Sequence, residues 1–242
     1  MQKNRLTILF AGLALIFVLT SCEKWKCIEG DNNIVSEYRS VSSDFHSIEA
    51  NGDFDVEIIQ DTVYDIYVEA DKNIMALIST DVRSGKLIIE TNTRRCIRTD
   101  KPVYVRVSTP DIFQVEQNGS GYIYCDGVYN DILSLKNNGS GSIEFNNIDT
   151  RQLNLKLTGS GPVEVWGIAN VGDYQIVGSG NIKSFHMELD ELDGNISGSG
   201  DMYVFVYDYI DAVISGSGNI FYKGDPSFRV NITGTGDVVN SN

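Results

Sequence analysis

Serines that stand between two glycines are the first residues here whose type and spacing suggest chemistry. Six Gly-Ser-Gly triplets and one Gly-Thr-Gly follow one another at intervals of 20, 20, 19, 20, 18 and 18 residues. A catalytic serine needs a histidine base that a third group orients, and the chain has only two histidines. The hydroxyls are therefore predicted to bond local backbone, and no catalytic residue is assigned. The triplets begin at Gly119, Gly139, Gly159, Gly178, Gly198, Gly216 and Gly234.

Two glutamates also have a spacing that suits chemistry. Glu144 and Glu164 each lie three residues after a triplet in successive repeats. Neighbouring strands lie about 4.8 Å apart, and a pair of carboxylates can cleave a glycosidic bond. The alternation of the sequence points both side chains outward, however, and nothing in it indicates a cleft. A solvated surface pair is favoured.

The turns suggest a possible calcium site, because Asp201 and Asp237 directly follow their triplets. Calcium takes six to eight oxygen ligands, and other repeats place Tyr122, Ser142 or Pro162 at the same position. Asx side chains that cap the turns are therefore favoured. No cysteine and histidine spacing suggests zinc, and neither a metal site nor a cofactor is predicted.

Aromatic residues give the best candidate for binding. Alternation along 202–210 buries Met202 and directs Tyr203, Phe205 and Tyr207 outward together, and Tyr124 and Phe221 occupy the equivalent outward position of other repeats. An exposed aromatic stripe can stack on sugar rings or contact another protein. The alternatives are a stabilising ladder of rings or a patch that a loop or subunit covers. The five residues are the predicted ligand-binding set.

The elements that hold these residues follow from the repeat. Apolar residues lie two positions after every triplet and alternate with polar residues before it, which is typical of strands with one buried face. Each repeat is thus a strand, a turn and a strand, and it must stack on its neighbours to bury its apolar side. The near-constant period favours an all-β parallel β-helix, or β-solenoid, of 18–20 residues per repeat over an antiparallel barrel or sandwich. The residues two positions after the triplets are Ile123, Ile143, Val163, Ile182, Met202, Ile220 and Val238.

Four segments are predicted. Residues 1–21 have the charge and apolar run of a signal peptide, and Leu19-Thr20-Ser21-Cys22 is similar to the bacterial lipobox, which implies lipidation at Cys22. Residues 22–40 are polar and are predicted to be a tether. Residues 41–110 form an irregular N-terminal β region, with one short helix within 71–80 and a degenerate turn at Gly52. Residues 111–242 form the repeat solenoid.

The cysteines limit the possible disulfides, and the net charge limits the possible partners. Export permits a disulfide, and Cys27 with Cys96 is favoured over pairs with Cys125 because it would fix the tether. The net charge of −14 disfavours nucleic acid as a partner. A last coil near Val238 would leave an open strand edge, and association of copies is one way to cover it.

The segments around Phe45–Gln60, Gly85–Glu90, Asn118–Ile123 and Gly178–Ile182 resemble the putative auto-transporter adhesin, head GIN domain, family of Bacteroidetes-type bacteria, over residues 45–240. The resemblance implies a right-handed β-helical body and an adhesin without enzymatic activity. We expect an exported protein, lipid-anchored at the outer membrane or cell surface of a Gram-negative bacterium, with the periplasmic face as an alternative location, and with a glycan or surface protein as ligand. A carbohydrate-active β-helix enzyme and a purely structural envelope component are the competing hypotheses.

Overall fold

The computed structural model describes residues 26–40 and 44–242. Strands dominate it, as expected for segments in which β-branched and aromatic residues alternate with polar ones. The N-terminal elements are β1 (Ile28–Glu29), β2 (Ile34–Arg39), β3 (Ser47–Asn51), β4 (Phe54–Gln60), β5 (Asp65–Asp71), α1 (Lys72–Met75), β6 (Ile78–Arg83), β7 (Lys86–Thr91), β8 (Ile97–Arg98) and β9 (Val103–Thr109). The elements of the repeat region are β10 (Gln114–Gln117), β11 (Tyr122–Asn137), β12 (Ser142–Leu157), β13 (Val163–Ile176), β14 (Ile182–Ile196), β15 (Met202–Ile214), β16 (Ile220–Lys223), β17 (Ser227–Ile232) and β18 (Val238–Asn240).

The repeat region is a parallel β-solenoid, which confirms the favoured fold. Strands β11 to β15 each follow most of one coil and pair in parallel with the equivalent strand of the next coil. The described pairings among β10 to β18 are all parallel, so the antiparallel barrel and sandwich are excluded for this region. The solenoid has about six turns.

The core consists of ladders of equivalent apolar side chains. Ile123 lies beside Ile143, which lies beside Val163, and the ladder continues to Ile220. These side chains are at most 1% exposed. The coils thus bury their inward faces by stacking on one another, as the sequence predicts.

The glycine turns stack in one column along the solenoid. The backbone N–H of Ser140 donates to the carbonyl oxygen of Gly119 at 3.1 Å, and equivalent bonds recur at each later turn up to Thr235 and Gly216. Gly119 itself lies against Gly52, so Gly52 belongs to the same column. The degenerate turn that the sequence indicates at Gly52 is confirmed.

Residues 44–110 continue the same sheet. Strand β3 pairs with β10, and β4 pairs with β11. Three antiparallel pairings, β2 with β5, β5 with β9 and β6 with β7, distinguish this part from the regular coils. The helix within 71–80 has one turn, α1, and ends early because the chain from Ile78 onward pairs with β7.

The segment predicted as a tether, 22–40, contains ordered structure. Strand β2 pairs antiparallel with β5, the ring of Tyr38 packs on Tyr67 with centroids 5.3 Å apart, and the Arg39 guanidinium donates to the carbonyl oxygen of Met75 at 3.2 Å. The polar composition concealed this strand, whose contacts include the Tyr38 ring, the Arg39 guanidinium and Val35 packed against the core. Residues 22–25 lie outside the described part of the chain.

A disulfide joins Cys27 to Cys96, which confirms the favoured pairing. The bond closes a loop of 69 residues and, by its constraint on the unfolded chain, contributes about 4 kcal/mol to stability. Strand β1 pairs with β8 beside it. The disulfide therefore fixes the start of the described chain to the N-terminal region.

The two ends of the solenoid differ. The first coils carry the antiparallel strands and α1, whereas β17 at the other end pairs only with β15 in the described structure. Phe228, Val230 and Ile232 match the buried Ile210, Ala212 and Ile214 in register, yet they are 39–43% exposed. In the described residues, no helix has the length and apolar character needed to cross a bilayer.

Candidate functional site

Two outward columns of side chains run along one wall of the solenoid. In the first, three residues after each turn, Glu144 pairs in register with Glu164, and Glu164 with Lys183. The same column continues through Tyr203 to Phe221. The second column, five residues after each turn, contains Trp166, Phe185 and Phe205. Aromatic rings of both columns thus lie close together on β13 to β16.

A β-bulge in β14 breaks the regular register at this place. Glu164 pairs with Lys183, but Trp166 pairs with His186, so β14 has one residue more than β13. Towards β15 the pairing stops at Ser184 and resumes at Glu188. Bulges reorient side chains and often lie beside functional sites. Residues 185–187 therefore have no partner in β15, and a depression in the wall lies at this place.

The depression, which we call the aromatic groove, has a volume of about 330 Å³. Three of its seven lining residues have purely aromatic or phenolic rings, and its polar side chains include both hydrogen-bond donors and acceptors. The lining residues are Glu164, Trp166, Asn181, Lys183, Phe185, His186 and Tyr203.

The rings of the groove are held in fixed orientations. The rings of Trp166 and His186 are nearly parallel, with an angle of 6° between their planes and 6.3 Å between their centroids. Tyr203 stacks on Phe221 at 5.0 Å and 11°, and Phe185 meets Tyr203 edge-on at 5.4 Å. Each ring is restrained by another ring and by its strand. The groove therefore presents flat faces without needing to order them on binding.

Charged groups lie at the margin of the groove. The Lys183 ammonium is 3.5 Å from Oε2 of Glu164, and both side chains are partly exposed. The Lys223 ammonium lies 4.7 Å from the centroid of the Phe185 ring, a cation–π contact. Burial, followed by the nearby Asp201 carboxylate, raises the pKa of the Tyr203 phenol. Tyr203 therefore remains a hydrogen-bond donor at neutral pH.

The five aromatic residues predicted from the sequence do not form one group. Tyr203 and Phe221 stack at the groove. Phe205 and Tyr207 contact each other at 4.9 Å, and Tyr207 lines a separate acidic hollow of about 250 Å³, where its hydroxyl donates to Glu188 at 2.9 Å. Tyr124 belongs to the outward column of Tyr203 but lies several coils away, where its ring faces Tyr122 at 6.3 Å.

Sequence reasoning missed Trp166, Lys183, Phe185 and His186 as members of the site. Alignment on the turns would have found Trp166 and Phe185, because both stand five residues after a triplet, as Phe205 does. The same alignment could not have identified His186, since its position in the site depends on the bulge. The repeat thus carried a signal for the rings and none for the histidine.

The glutamates considered for glycosidase chemistry are neighbours, as expected. Glu144 pairs with Glu164 across β12 and β13. Oε2 of Glu144 accepts a hydrogen bond from the Tyr122 hydroxyl at 2.7 Å, and Glu164 faces Lys183. Of the carboxylates in the described chain, Glu164 is the one that lines the groove. The two groups therefore do not flank a common cavity.

The turn residues have structural partners. Asn181 Oδ1 accepts from the backbone N–H of Asp201, Asp201 Oδ1 from that of Asn219, and Asn219 Oδ1 from that of Asp237, at 2.8–3.0 Å. The Asx side chains thus connect successive coils. Within the described residues no cluster of three or more His, Cys, Asp or Glu side chains could hold a metal ion. Cys22, the predicted lipidation site, lies outside the described residues.

Comparison with known structures supports this fold. A structure from Bacteroides fragilis described as a "putative adhesin" is 24% identical, with a TM-score of 0.84 over 88% of this chain and 100% of that one. A Parabacteroides distasonis structure described as a "putative lipid binding protein" is 25% identical, with a TM-score of 0.75 over 90% and 100% of the two chains. A second structure from that organism, described as a "putative adhesin", is 23% identical, with a TM-score of 0.68 over 89% and 100%.

Family membership rests on the sequence itself. No curated protein matches the chain. Residues 44–226 match the family described as "Putative auto-transporter adhesin, head GIN domain", which covers the irregular β region and most of the repeats. The match spans more than half of the 242 residues and agrees with the resemblance carried by the turn motifs. This chain belongs to the putative auto-transporter adhesin, head GIN domain, family.

Proposed function

We propose that this protein is a non-enzymatic adhesin of the bacterial cell envelope that binds a saccharide in the aromatic groove. The observation that carries the proposal is the set of oriented rings, Trp166, Phe185 and Tyr203, at the bulge in β14. The rings lie outside the core that stabilises the coils, so they are available to a ligand.

A saccharide suits the groove better than a protein surface does. The apolar face of a sugar ring packs on a flat aromatic ring, and its hydroxyls need donors and acceptors at the edge. Asn181, Glu164 and Lys183 supply both at the margin of the rings. The volume of about 330 Å³ lies at the small end of the range for ligand pockets, which suits one or two sugar units rather than a long polymer.

The proposal of binding without catalysis rests on the disposition of the carboxylates. Hydrolysis of a glycoside needs two carboxyl groups on either side of the bond. Glu164 faces Lys183, and its neighbour Glu144 accepts a hydrogen bond from Tyr122. We expect a bound oligosaccharide to be recovered intact after long incubation, as judged by its reducing ends. New reducing ends would favour the carbohydrate-active enzyme instead.

Binding is tested on a glycan array and on whole cells with variants of the mature protein. Trp166→Ala and Tyr203→Ala are each expected to weaken binding by about tenfold or more, since aromatic anchors often contribute more than 1 kcal/mol. Tyr129→Ala is the matched control, because Tyr129 is 65% exposed and lies outside the groove. Equal binding by all three variants would exclude the groove. A hit on a surface protein but on no glycan would replace the saccharide by a protein ligand.

The location forms part of the proposal. The lipobox-like Leu19-Thr20-Ser21-Cys22 supports acylation of Cys22, and several acyl chains make a stable anchor. We expect the protein to fractionate with the outer membrane and to incorporate labelled palmitate, and Cys22→Ala to abolish the labelling. Protease accessibility on intact cells distinguishes the cell surface from the periplasmic face. Labelling that persists in Cys22→Ala would contradict the anchor.

A further inference from the structure

The distribution of cationic residues around the aromatic groove is unusual for this chain. Residues 157–242 contain eleven aspartates and glutamates but only three lysines and arginines. Two of those three, Lys183 and Lys223, lie at the groove, and the third, Arg229, is paired with Asp211 on another part of the surface. Positive charge in this part of the protein is therefore concentrated at the groove.

The two ammonium groups remain available to a ligand. Lys183 is half exposed, and its distance of 3.5 Å from Glu164 is that of a loose ion pair in solvent, which contributes little energy. Lys223 contacts a ring face and, in the described part of the chain, forms no ion pair with a carboxylate. An aromatic face does not neutralise an ammonium group. Lys223 therefore presents an uncompensated positive charge beside Phe185.

We infer that the ligand of the aromatic groove is an acidic saccharide, with a carboxylate or sulfate between Lys183 and Lys223. The inference rests on the proposed saccharide-binding function and names its substrate class. The sugar ring packs on the aromatic faces, and its acidic group accepts charge-assisted hydrogen bonds from one or both ammonium groups. Such bonds are about twice as strong as neutral ones. A neutral sugar could accept a hydrogen bond from Lys183 but would give neither ammonium group a charged partner.

The net negative charge of the whole protein favours a short acidic ligand over a long polyanion. A chain with a net charge of −14 repels a long polyanion at distances up to the Debye length of about 10 Å at 0.1 M salt. The attraction at the groove acts only on a group that reaches Lys183 and Lys223. A short acidic oligosaccharide, or the acidic end of a longer glycan, satisfies both conditions.

The test uses pairs of saccharides that differ only in charge, measured by titration calorimetry with the mature protein. The pairs are trigalacturonic acid and its methyl ester, sialyllactose and its methyl ester, and 6-sulfated and unsulfated N-acetyllactosamine. We expect at least one acidic member to bind about tenfold more tightly than its neutral partner, the effect of one charge-assisted hydrogen bond. Lys223→Gln should remove much of that difference and leave the affinity for the neutral member unchanged. Lys183→Gln should remove much of the difference and also weaken the neutral member, because Lys183 lines the groove and donates to sugar hydroxyls.

Two further variants separate the inference from the proposed function. Lys156→Gln, which removes an exposed charge outside the groove, should change nothing, and Trp166→Ala should weaken both members of a pair. Equal affinity for the acidic and neutral members, together with sensitivity to Trp166→Ala, would overturn the charge inference and leave the saccharide-binding function standing. Absence of binding by every pair would overturn both.

Discussion

At the scale of single residues, the glycines of the turns are explained by space and not by backbone conformation. The sequence allowed two reasons, a positive φ or a close backbone approach. The glycines with positive φ are Gly85, Gly127, Gly167 and Gly224, and none belongs to a triplet. A Cβ on either glycine of a triplet would instead lie closer than 3.0 Å to the carbonyl oxygen of the preceding coil. The turns can stack this closely because glycine has no Cβ to separate their backbones.

This reason predicts a large effect of Gly159→Ala. The added methyl group would meet the carbonyl oxygen of Gly139, which is backbone and is fixed by the hydrogen bond from Ser160. We expect a loss of stability of about 3 kcal/mol or more, at or beyond the upper range of overpacking. The measurement is the shift of the urea unfolding midpoint.

Two control substitutions distinguish space from conformation. A Cβ on Gly85, which has a φ of +75°, would meet nothing within 4 Å, so Gly85→Ala should show only the conformational cost of about 1–2 kcal/mol. Ser160→Ala removes an exposed hydroxyl and should change the free energy of unfolding by no more than about 0.5 kcal/mol. A smaller effect for Gly159→Ala than for Gly85→Ala would refute the steric explanation.

At the scale of elements, β14 shows where sequence reasoning reached its limit. The constant period and the apolar ladder of Ile143, Val163 and Ile182 could be read directly, because a stacked coil repeats its inward positions. The bulge after Lys183 could not be read in this way, because one added residue in a repeat of 18–20 can lie at any position of the coil. The groove depends on that placement. The fold was thus predictable, and the arrangement of the site was only partly so.

The strand β2 illustrates a second limit. Its antiparallel pairing with β5 joins residues 34–39 to 66–71, and no repeat connects the two segments. Long-range pairing of an irregular strand leaves no periodic mark in one sequence. The disulfide could be predicted for another reason, since only three cysteines follow the predicted signal peptide and the pair Cys27–Cys96 would fix the predicted tether.

The ladder of Asx side chains allows a test of structural bonding against metal binding. Asp201 Oδ1 accepts from the backbone N–H of Asn219 at 2.8 Å and from its side-chain amide at 3.2 Å. Asp201→Ala should therefore lower the free energy of unfolding by about 1 kcal/mol. Because these bonds need no cation, excess EDTA or added calcium should leave the melting temperature unchanged. A calcium-dependent increase that Asp201→Ala abolishes would establish a metal site instead.

At the scale of the whole molecule, the solenoid is closed at one end and open at the other. Antiparallel strands and α1 cover the first coils, whereas Phe228, Val230 and Ile232 remain partly exposed on the last coil. Each coil contacts only the coils next to it, so stability is distributed along the stack. The groove lies on β13 to β15, in the fully stacked part. Its rings therefore sit on a wall whose backbone is bonded on both sides.

Burial of phenol and thiol groups along this stack predicts a loss of stability at alkaline pH. Desolvation raises the pKa of Cys125 to about 12 from 9.0 and, together with the Glu57 carboxylate, raises that of Tyr104 to about 12 from 10.0. Burial also raises the pKa of Tyr122 and Tyr174. In each case the unfolded chain loses its proton at a lower pH than the folded protein. The stabilisation is complete below about pH 9 and decreases as the pH rises towards 12.

The prediction is checked by urea unfolding at about pH 8, 9.5 and 11, with the number of protons released on unfolding obtained from the slope. In the unfolded chain the Cys125 thiol ionises at a lower pH than the phenols. Cys125→Ala removes this thiol, so the loss of stability should begin at a higher pH in this variant. Tyr174→Phe removes a fully buried phenol and should reduce the slope above about pH 10. Tyr129→Phe, at an exposed ring, should leave the profile unchanged. A midpoint that stays constant up to about pH 11 would mean that the unfolded chain also shields these groups.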